Sequence, residues 1–382
     1  MSSSTITKED VALAIQVSKD LSTKELELRK ARVEAQYEKL AKQNEEQEGF
    51  KKFKIGFNEE RINHLKLQNR EYIDLAKKGA VFLGIDDFIG CVPIFPRNLI
   101  LVGAETGAGK STLTANMTWQ FLKQSKRVLV ITNEEHPTDI LNRTICLKNN
   151  WPYHDHTTIT AEQQDEFDKM YPIFSQRLDI IDDNYNGVGG LTTTLEGLKT
   201  ILENLKEKVK NGEEPYGVII IDYYQNANTS SKNPSANGFE VLHEVGRALD
   251  LFKNVYNAPI ILLSQLKALA NEDDTTPFKE RIEGRKSVFN FSTCAIEVRA
   301  DKQHNRTEWI FRKSRFSKAM GKTVITGFDK GRYVPYNREF ARRSEAEKTE
   351  REQRELLSKT RQQDADRINR TLGLKEKDHE KV

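Results

Sequence analysis

A glycine-rich turn joins an apolar run to a helix-forming run in the stretch NLILVGAETGAGKSTLTANMTWQFL. Gly107 and Gly109 would let backbone N–H groups approach phosphate oxygens closely, and the N-terminus of the following helix adds partial positive charge. At this spacing Lys110 reaches the β- and γ-phosphates of a nucleotide, and the Ser111 hydroxyl ligates Mg²⁺. The stretch therefore predicts a P-loop, with Ala104 in the place of the usual first glycine. The predicted nucleotide contacts are Ala104, Glu105, Thr106, Gly107, Ala108, Gly109, Lys110, Ser111 and Thr112.

Carboxylates stand at the ends of two further apolar runs. Asp222 ends the run in YGVIIIDYYQNA, and Glu134 and Glu135 follow the run in RVLVITNEEHPTDIL. In P-loop enzymes an aspartate at the tip of a neighbouring strand holds Mg²⁺, so Asp222 joins Ser111 as a predicted metal ligand; a helix cap or an exposed strand end is the alternative. Hydrolysis also needs a base, or a group that orients water, beside the γ-phosphate. One glutamate of the pair alternatively caps the following helix, and we expect Glu134 in the catalytic role.

A polar pair, Ser264 and Gln265, ends the apolar run APIILLSQLKALA. A polar side chain there can sense the γ-phosphate and pass its presence to the segment that follows. That segment, KALANEDDTTPFKERIEGRKSVFNFS, is long, polar and basic in its second half. Such a stretch is typical of a functional loop or of an ordinary mobile surface loop. Arg281, Arg285 and Lys286, around Gly284, could grip a phosphate backbone.

Composition divides the chain of 382 residues into three parts. The average is 37% apolar and 31% charged, but residues from about 81 to 337 are apolar with repeated β-branched runs. We therefore expect one core domain at 81–337, an N-terminal helical arm with a linker helix at 1–80, and a charged helical or disordered tail at 338–382. The net charge of +3 is too near zero for a nucleic-acid-binding surface over the whole molecule, but it leaves room for a local basic channel.

Cysteine usage and hydropathy indicate the compartment. Cys91, Cys146 and Cys294 lie far apart, without metal-ligand spacing, which argues against a secreted, disulfide-stapled fold. The first residues, MSSSTITKEDVALAIQ, lack the basic-then-apolar pattern of a signal peptide. No segment approaches the ~18 unbroken apolar residues of a membrane span. We expect a cytoplasmic protein without membrane partners.

Strand-like and helix-like segments alternate through the core. Four of the strand candidates are short apolar runs without alternation, as expected for strands that are buried on both faces. The pattern predicts an α/β fold with a largely parallel sheet. The candidate strands are NLILVGA, RVLVITN, LDIIDD, YGVIIIDYY, PIILLSQ, CAIEVRA and EWIFRKS, and the last begins a hairpin rich in basic residues.

With its motifs in this order, the chain resembles the RecA-like core of DnaB-type (superfamily 4) replicative helicases over about 82–335. VLVITNEEHP is similar to the family's strand that ends in the catalytic glutamate, which falls on Glu134. IIIDYYQ resembles the aspartate motif, with Gln225 in the family's glutamine position, and LLSQL resembles the glutamine sensor motif. FRKSRFSKAMGKTVITGF resembles the Lys-x-Arg hairpin and puts that pair on Lys313 and Arg315. The segments LGIDDFIG and RLDIIDDNYNGVGGLTTTLEGL also resemble stretches of the family.

The resemblance implies an ATP- and Mg²⁺-dependent 5′–3′ DNA helicase that acts in replication as a ring, most simply a hexamer, on single-stranded DNA. ATP would be hydrolysed between subunits, where an arginine finger from the neighbour stabilises the charge of phosphoryl transfer. The implied catalytic residues are Glu134, Lys110, Gln265, Lys313 and Arg315, and the implied DNA contacts are Arg281, Gly284, Arg285 and Lys286. Primase, a loader and a polymerase are the implied partners, in a bacterial or phage-infected cell.

The chain also departs from the resemblance. About eighty charge-rich residues stand where bacterial members of the family carry a globular domain that binds primase, and Asn133 stands where the family prefers an apolar residue. Two other functions are alternatives, and the first of them would share the P-loop, the glutamate and the aspartate. One is a RecA-type recombinase that forms filaments, and the other is a regulatory or loader ATPase that binds protein and not DNA.

Overall fold

The computed structural model describes residues 59–78, 82–88, 91–92, 94–152, 159–233, 235–256, 258–270, 274–284, 286–315 and 317–371. The chain divides into two units, Met1–Asn69 and Arg70–Val382. The described part of the first unit, 59–69, is helical, and the helix α1 runs over Glu59–Lys78. Helix α1 lies within the helical arm predicted at 1–80, and residues 1–58 and 79–80 of that arm lie outside the described residues.

A sheet of nine strands forms the centre of the second unit, in the order β3-β2-β4-β5-β1-β6-β7-β8-β9. The six strands from β3 to β6 are parallel to their neighbours, and β7, β8 and β9 continue the sheet as an antiparallel meander. The strands are β1 Leu99–Glu105, β2 Val128–Thr132, β3 Leu178–Ile181, β4 Val218–Asp222, β5 Ile260–Leu266, β6 Cys294–Asp301, β7 Arg306–Ser314, β8 Thr323–Asp329 and β9 Arg332–Pro335.

Helices cover both faces of the sheet. The remaining described helices are α2 Lys110–Lys123, α3 Pro137–Asn149, α4 Ala161–Phe174, α5 Leu195–Lys210, α6 Gly238–Tyr256, α7 Phe278–Arg281, α8 Ser287–Phe291 and α9 Arg338–Thr371. Alternate residues of each buried strand face opposite layers. Ile100 and Val102 of β1 join a core with α2 and α3, called the α2 layer below, while Leu99 and Leu101 join a core with α5 and α6, called the α5–α6 layer. The predicted α/β fold with a mostly parallel sheet is confirmed.

The last described helix, α9, covers residues 338–371 of the charged tail predicted at 338–382, and residues 372–382 lie outside the described part of the chain. Its first turns contact the meander. Phe340 is buried beside Gly327 of β8, and Ser344 donates a hydrogen bond to the carbonyl of His304 at 2.8 Å. From Glu345 to Arg361 most of the described side chains are exposed, and the helix is rich in charges of both signs.

Within the described part of the chain, none of the helices is long and apolar enough to cross a membrane.

Gly103, in the middle of β1, lies against an aromatic ring that a larger residue would displace. A Cβ atom there would be 2.7 Å from a ring carbon of Phe278 and 2.9 Å from a methyl of Leu266. We expect Gly103→Ala to lower the free energy of unfolding by about 1–3 kcal/mol, because a buried site would be overpacked. Denaturant unfolding measures this loss. Gly189→Ala is the control, since its Cβ would meet only an oxygen of Asn184 at 3.9 Å, and an equal effect there would contradict the prediction.

Candidate active site

The P-loop connects the carboxyl end of β1 to the N-terminus of α2. Gly107 and Gly109 have φ values of +75° and +88°, in the left-handed region that glycine adopts without strain. Gly109 is the N-cap of α2 and makes no side-chain cap, so the first N–H groups of the helix face the loop. Ala104 and Glu105 are still paired with β5. The phosphate-binding loop, called the cradle below, thus begins after Glu105. Ala104 and Glu105, the first two predicted nucleotide contacts, belong to β1, the strand that precedes this loop.

Lys110 and Gln265 meet at the predicted site. Lys110 Nζ donates a hydrogen bond to Gln265 Oε1 at 3.0 Å, and Gln265 Nε2 donates to the hydroxyl of Thr106. Lys110 is 7% exposed and lies 5.5 Å from the centre of the Tyr223 ring. A γ-phosphate that draws Lys110 would have to exchange with the Gln265 oxygen, because both are acceptors for the same ammonium group. Gln265 therefore stands where it can respond to the nucleotide.

Asp222 ends β4 and is 1% exposed. Its Oδ2 accepts a hydrogen bond from the hydroxyl of Thr114 at 2.6 Å. Burial raises the pKa of Asp222 to about 6; the charges of Glu135 and Glu134 act in the same direction, and Thr114 and Lys110 oppose them. A cation near this carboxyl would reverse the effect of burial, because it favours the ionised form.

The residues around Asp222 fit a magnesium ion. Among the residues that the structure describes, Asp222 Oδ1 is a buried oxygen without a hydrogen-bond partner. An unpaired buried carboxylate oxygen is costly unless a water or an ion satisfies it. Ser111 lies in the first turn of α2 and is partly exposed. A hydroxyl and a carboxylate are oxygen ligands of the kind that Mg²⁺ prefers, while phosphates and waters supply the others.

The two glutamates after β2 differ in their surroundings. Glu134 is exposed, whereas Glu135 forms an ion pair with Arg143 at 3.3 Å and its side chain is only 17% exposed. Neither caps α3, whose N-cap is His136. Glu135 is thus engaged within its own chain. Glu134 keeps a solvent-facing carboxylate, which a catalytic residue beside a nucleotide requires, and its role stays a prediction.

Gln225, from the aspartate motif, connects the sensor strand to the following segment. Its Nε2 donates to Ser264 Oγ at 2.8 Å and to the carbonyls of Gln265 and Glu283 at 3.1 and 3.4 Å. The N–H of Glu283 also donates to the Gln265 carbonyl at 3.1 Å. Glu283, the residue before Gly284, is therefore hydrogen-bonded to the backbone of Gln265, whose side chain accepts a hydrogen bond from Lys110.

The predicted DNA contacts differ in how they are placed. Arg281 is 2% exposed, and its guanidinium pairs with Glu297 at 2.5 Å and with Glu105. A buried guanidinium with two carboxylates is not available to a DNA phosphate, so this structure does not place Arg281 where the prediction put it. Gly284 has a φ of +80°, as a tight turn requires. Lys286 is half-exposed and pairs with Glu280, and Arg285 lies outside the described residues.

Lys313 lies at the opposite end of the sheet from the P-loop of its own chain. It pairs with Ala295 near the start of β6, and Ala295 pairs with Leu101 of β1. Leu101 precedes Glu105, the last residue before the cradle, by four positions, which is about 13 Å along a strand. Arg315 follows two residues later, and its N–H donates to the carbonyl of Thr293 before β6. Neither side chain is close to the Lys110 site.

Both cations of the Lys-x-Arg pair contact the C-terminal end of α8. Lys313 Nζ donates to the carbonyls of Phe289 and Asn290 at 2.5 and 3.1 Å and lies 5.0 Å from the centre of the Phe289 ring. Arg315 donates to the Asn290 carbonyl at 3.1 Å. Carbonyls at the end of a helix are weak partners for cations compared with phosphate. These carbonyls hold the side chains of Lys313 and Arg315 close to each other. A stronger anion such as a phosphate could replace the carbonyls.

Two site residues were not anticipated in these positions. Thr114, one turn after Lys110 on α2, bonds Asp222. Asn133, the departure noted above, donates to the carbonyl of Tyr223 at 2.9 Å and accepts from Asn226 at 3.1 Å, so it fastens β2 to the end of β4. Helix spacing could have indicated Thr114, since four residues separate it from Lys110 on the same face. The sequence did not indicate that Asn133 connects two strands, because a single polar residue at a strand end has no pattern that reveals its partner.

The comparison with known families decides the class of this site. The family model described as DnaB-like helicase C terminal domain matches residues 82–323, which includes the P-loop, both acidic strand ends, the glutamine sensor and the Lys-x-Arg pair. The chain belongs to this family. The predicted resemblance to DnaB-type helicases and the RecA-like P-loop fold are thereby confirmed.

Individual relatives of the DnaB-like family are distant. The replicative DNA helicase DnaB of Helicobacter pylori (strain ATCC 700392 / 26695) is 26% identical over 184 residues, which are 47% of this chain and 35% of that protein. The match therefore spans about a third of the length of the curated relative. The name DnaB belongs to that whole protein.

Of two solved structures compared with this chain, the first shows the same fold. A DnaB-like replicative helicase, described with its interactions with primase, superposes with a TM-score of 0.56 at 16% identity, over 86% of this chain and 83% of that one. The RadB recombinase matches with a TM-score of 0.41 at 12% identity, over 64% of this chain and 93% of that one. At 16% identity the likeness to the DnaB-like helicase concerns the fold alone.

Proposed function

We propose that this chain is an ATP-driven DNA helicase or translocase that works as a ring of identical subunits on single-stranded DNA in replication. The observation that supports the proposal is the separation of the catalytic set. The P-loop, Asp222 and Glu134 occupy one end of the sheet, while Lys313 and Arg315 lie at the other end. One chain cannot bring them to one nucleotide, but a head-to-tail neighbour can.

In this mechanism each interface binds one ATP. Backbone N–H groups of the P-loop and Lys110 hold the phosphates, and Mg²⁺ held by Ser111 and Asp222 would neutralise charge on the phosphate oxygens. Glu134 orients the attacking water or accepts its proton. Lys313 and Arg315 of the neighbouring subunit face the γ-phosphate and stabilise the charge that develops during transfer.

The response to hydrolysis runs through Gln265. When the γ-phosphate leaves, Lys110 returns to the Gln265 oxygen, and the strand end that carries Gln265 is hydrogen-bonded to the segment before Gly284. We propose that this segment, with Gly284, Arg285 and Lys286, contacts the phosphates of single-stranded DNA inside the ring. A shift of Gln265 therefore becomes a movement of the DNA contact.

Electron microscopy and ATPase assays test the proposal together. With ATP and Mg²⁺, we expect closed rings, with six-fold symmetry as the simplest outcome, and ATPase activity that single-stranded DNA stimulates. Unwinding of forked duplexes with 5′ or 3′ tails measures polarity, which we propose to be 5′–3′. Open filaments would support a recombinase, and absence of DNA binding at low salt would support a protein-directed ATPase. Co-sedimentation with a primase tests a replication partner of the kind described for the solved DnaB-like relative.

Lys313 predicts a pH dependence. Burial, followed by the positive charges of Arg315, Lys279 and Lys253, lowers the pKa of Lys313 to about 8, and Cys294 opposes them. Only the protonated form can stabilise a phosphate, so we expect kcat of the ring to fall as pH rises through about 8 to 9, with the midpoint raised by the anionic nucleotide. Arg keeps its proton in this range. Lys313→Arg should move the fall to higher pH, and an unchanged profile would contradict the role of Lys313.

A further inference from the structure

Strand β7 contains a β-bulge next to the Lys-x-Arg pair. Phe311 pairs with Ile296, but the next pair along β6 joins Ala295 to Lys313, so Arg312 is an extra residue without a pairing partner of its own. A bulge of this kind inserts one residue into a strand and turns the following side chains. Bulges are frequent beside functional sites, where they direct a side chain.

The bulge decides which face of the sheet carries Lys313. Phe311 lies in the α2 layer, together with its pairing partner Ile296. Ala295 lies in the α5–α6 layer, and Lys313, opposite it, contacts Phe289 on that face. Without the extra residue, Lys313 would pair with Cys294, whose side chain belongs to the α2 layer. Both cations of the pair would then move to the buried opposite face, because side chains alternate along a strand.

Arg312 is fixed by a buried carboxylate. Its Nε and one terminal nitrogen donate to Glu297 Oε2 at 2.7 and 2.6 Å, and Glu297 is fully buried. Burial by itself raises the pKa of Glu297, but hydrogen bonds from Arg299 and Arg312 outweigh it and hold that pKa below its usual value. Glu297 is therefore ionised, and it forms strong, charge-assisted hydrogen bonds with its arginine partners.

Glu297 is also linked, through an arginine, to the residue that precedes the P-loop. Arg281 bridges Glu297 to Glu105, the last residue of β1. We propose that Arg312 is a positioning residue: its bond to Glu297 locks the bulge, and the bulge presents Lys313 and Arg315 to the nucleotide of the neighbouring subunit. The inference rests on the proposed function, because it assumes that the pair acts across an interface.

The test is Arg312→Gln, examined in homogeneous and in mixed rings. Homogeneous Arg312→Gln rings should lose about 10²-fold in ATPase activity, the order of loss for a displaced catalytic group. Binding of a fluorescent ATP analogue to the isolated subunit should not change, because the P-loop is intact. Lys110→Ala subunits have no working P-loop but an unaltered hairpin. Equal mixing of the two variants should restore about a quarter of the interfaces, because each needs one half from each variant.

Two controls accompany the mixing experiment. Lys318→Gln removes the same charge from an exposed position of the same hairpin and should retain wild-type activity. Arg312→Lys keeps a cation near Glu297 and should recover part of the loss, although lysine cannot reproduce two fixed N–H bonds. If Arg312→Gln only damages the fold, its melting temperature should fall, and mixing it with Lys110→Ala subunits should restore no ATPase activity.

Each outcome decides the inference. Wild-type activity of Arg312→Gln, or a loss that Lys110→Ala subunits do not restore, overturns it, since Arg312 would then be dispensable or would act in its own subunit. If Arg315→Ala is inactive while Arg312→Gln is fully active, the inference fails and the proposed function stands. If Arg315→Ala is itself fully active, the failure belongs to the proposed function.

Discussion

Arg315→Ala rings should lose ATPase activity by about 10³- to 10⁵-fold, which is the contribution of an arginine finger in phosphoryl transfer. The side chain is exposed, and within its own chain it donates to the carbonyl of Asn290, far from Lys110. Its removal therefore leaves the P-loop and the core untouched. Nucleotide binding by the isolated subunit should be unchanged, and only turnover in the assembled ring should fall. Single-turnover hydrolysis with and without assembly measures the difference.

Mixing shows whether Arg315 acts across an interface. Arg315→Ala subunits supply an intact P-loop, and Lys110→Ala subunits supply an intact hairpin, so mixed rings should regain activity that neither variant has alone. Lys318→Ala, in the same hairpin, is the control and should behave as wild type. If Arg315→Ala alone retains full activity, the pair is not a finger. If activity is lost but mixing restores nothing, the residue acts within its own subunit.

The parallel half of the sheet was predictable because four of its strands, β1, β2, β4 and β5, are buried on both faces. VLVIT in β2 and VIIID in β4 are fully buried, and such strands read as unbroken apolar runs. Strand β9, Arg332–Pro335, has four residues of which only Tyr333 is buried, so its pattern could not be told from a turn. The helical state of α9 was one of two alternatives, because a charged stretch of both signs is compatible with helix or disorder.

The P-loop was predictable for a different reason, since its chemistry lies in local backbone geometry and a few adjacent residues. The other parts depend on partners that are far apart in sequence. Arg281 suggested a DNA contact by its charge, but Glu105 and Glu297, from β1 and β6, bury it. Lys313 and Arg315 were proposed from a resemblance, and no pattern in EWIFRKS indicated the bulge at Arg312, because a one-residue insertion follows from pairing with β6.

Glu134→Gln should abolish most hydrolysis while ATP still binds. The substitution keeps the shape of the side chain but removes the carboxylate that orients or deprotonates water, and general-base catalysis contributes about 10²- to 10⁴-fold. Glu134 is exposed and follows two residues after Thr132, which pairs with Asp222 at the end of β4, so it lies at the end of the sheet where we place the γ-phosphate. The measurement is single-turnover hydrolysis beside the Kd of a fluorescent ATP analogue.

Glu135→Gln is the matched control, one residue along the chain. Its carboxylate pairs with Arg143, which also donates to the hydroxyl of Thr112 at 3.4 Å, so it supports the structure behind the P-loop. We expect a lower melting temperature and a loss of turnover well below that of Glu134→Gln. If the two variants exchange these behaviours, Glu135 is the catalytic carboxylate. In that case the ion pair with Arg143 would hold the catalytic carboxylate of Glu135 in place. Glu134 would then have no catalytic role, because hydrolysis needs only one carboxylate beside the attacking water.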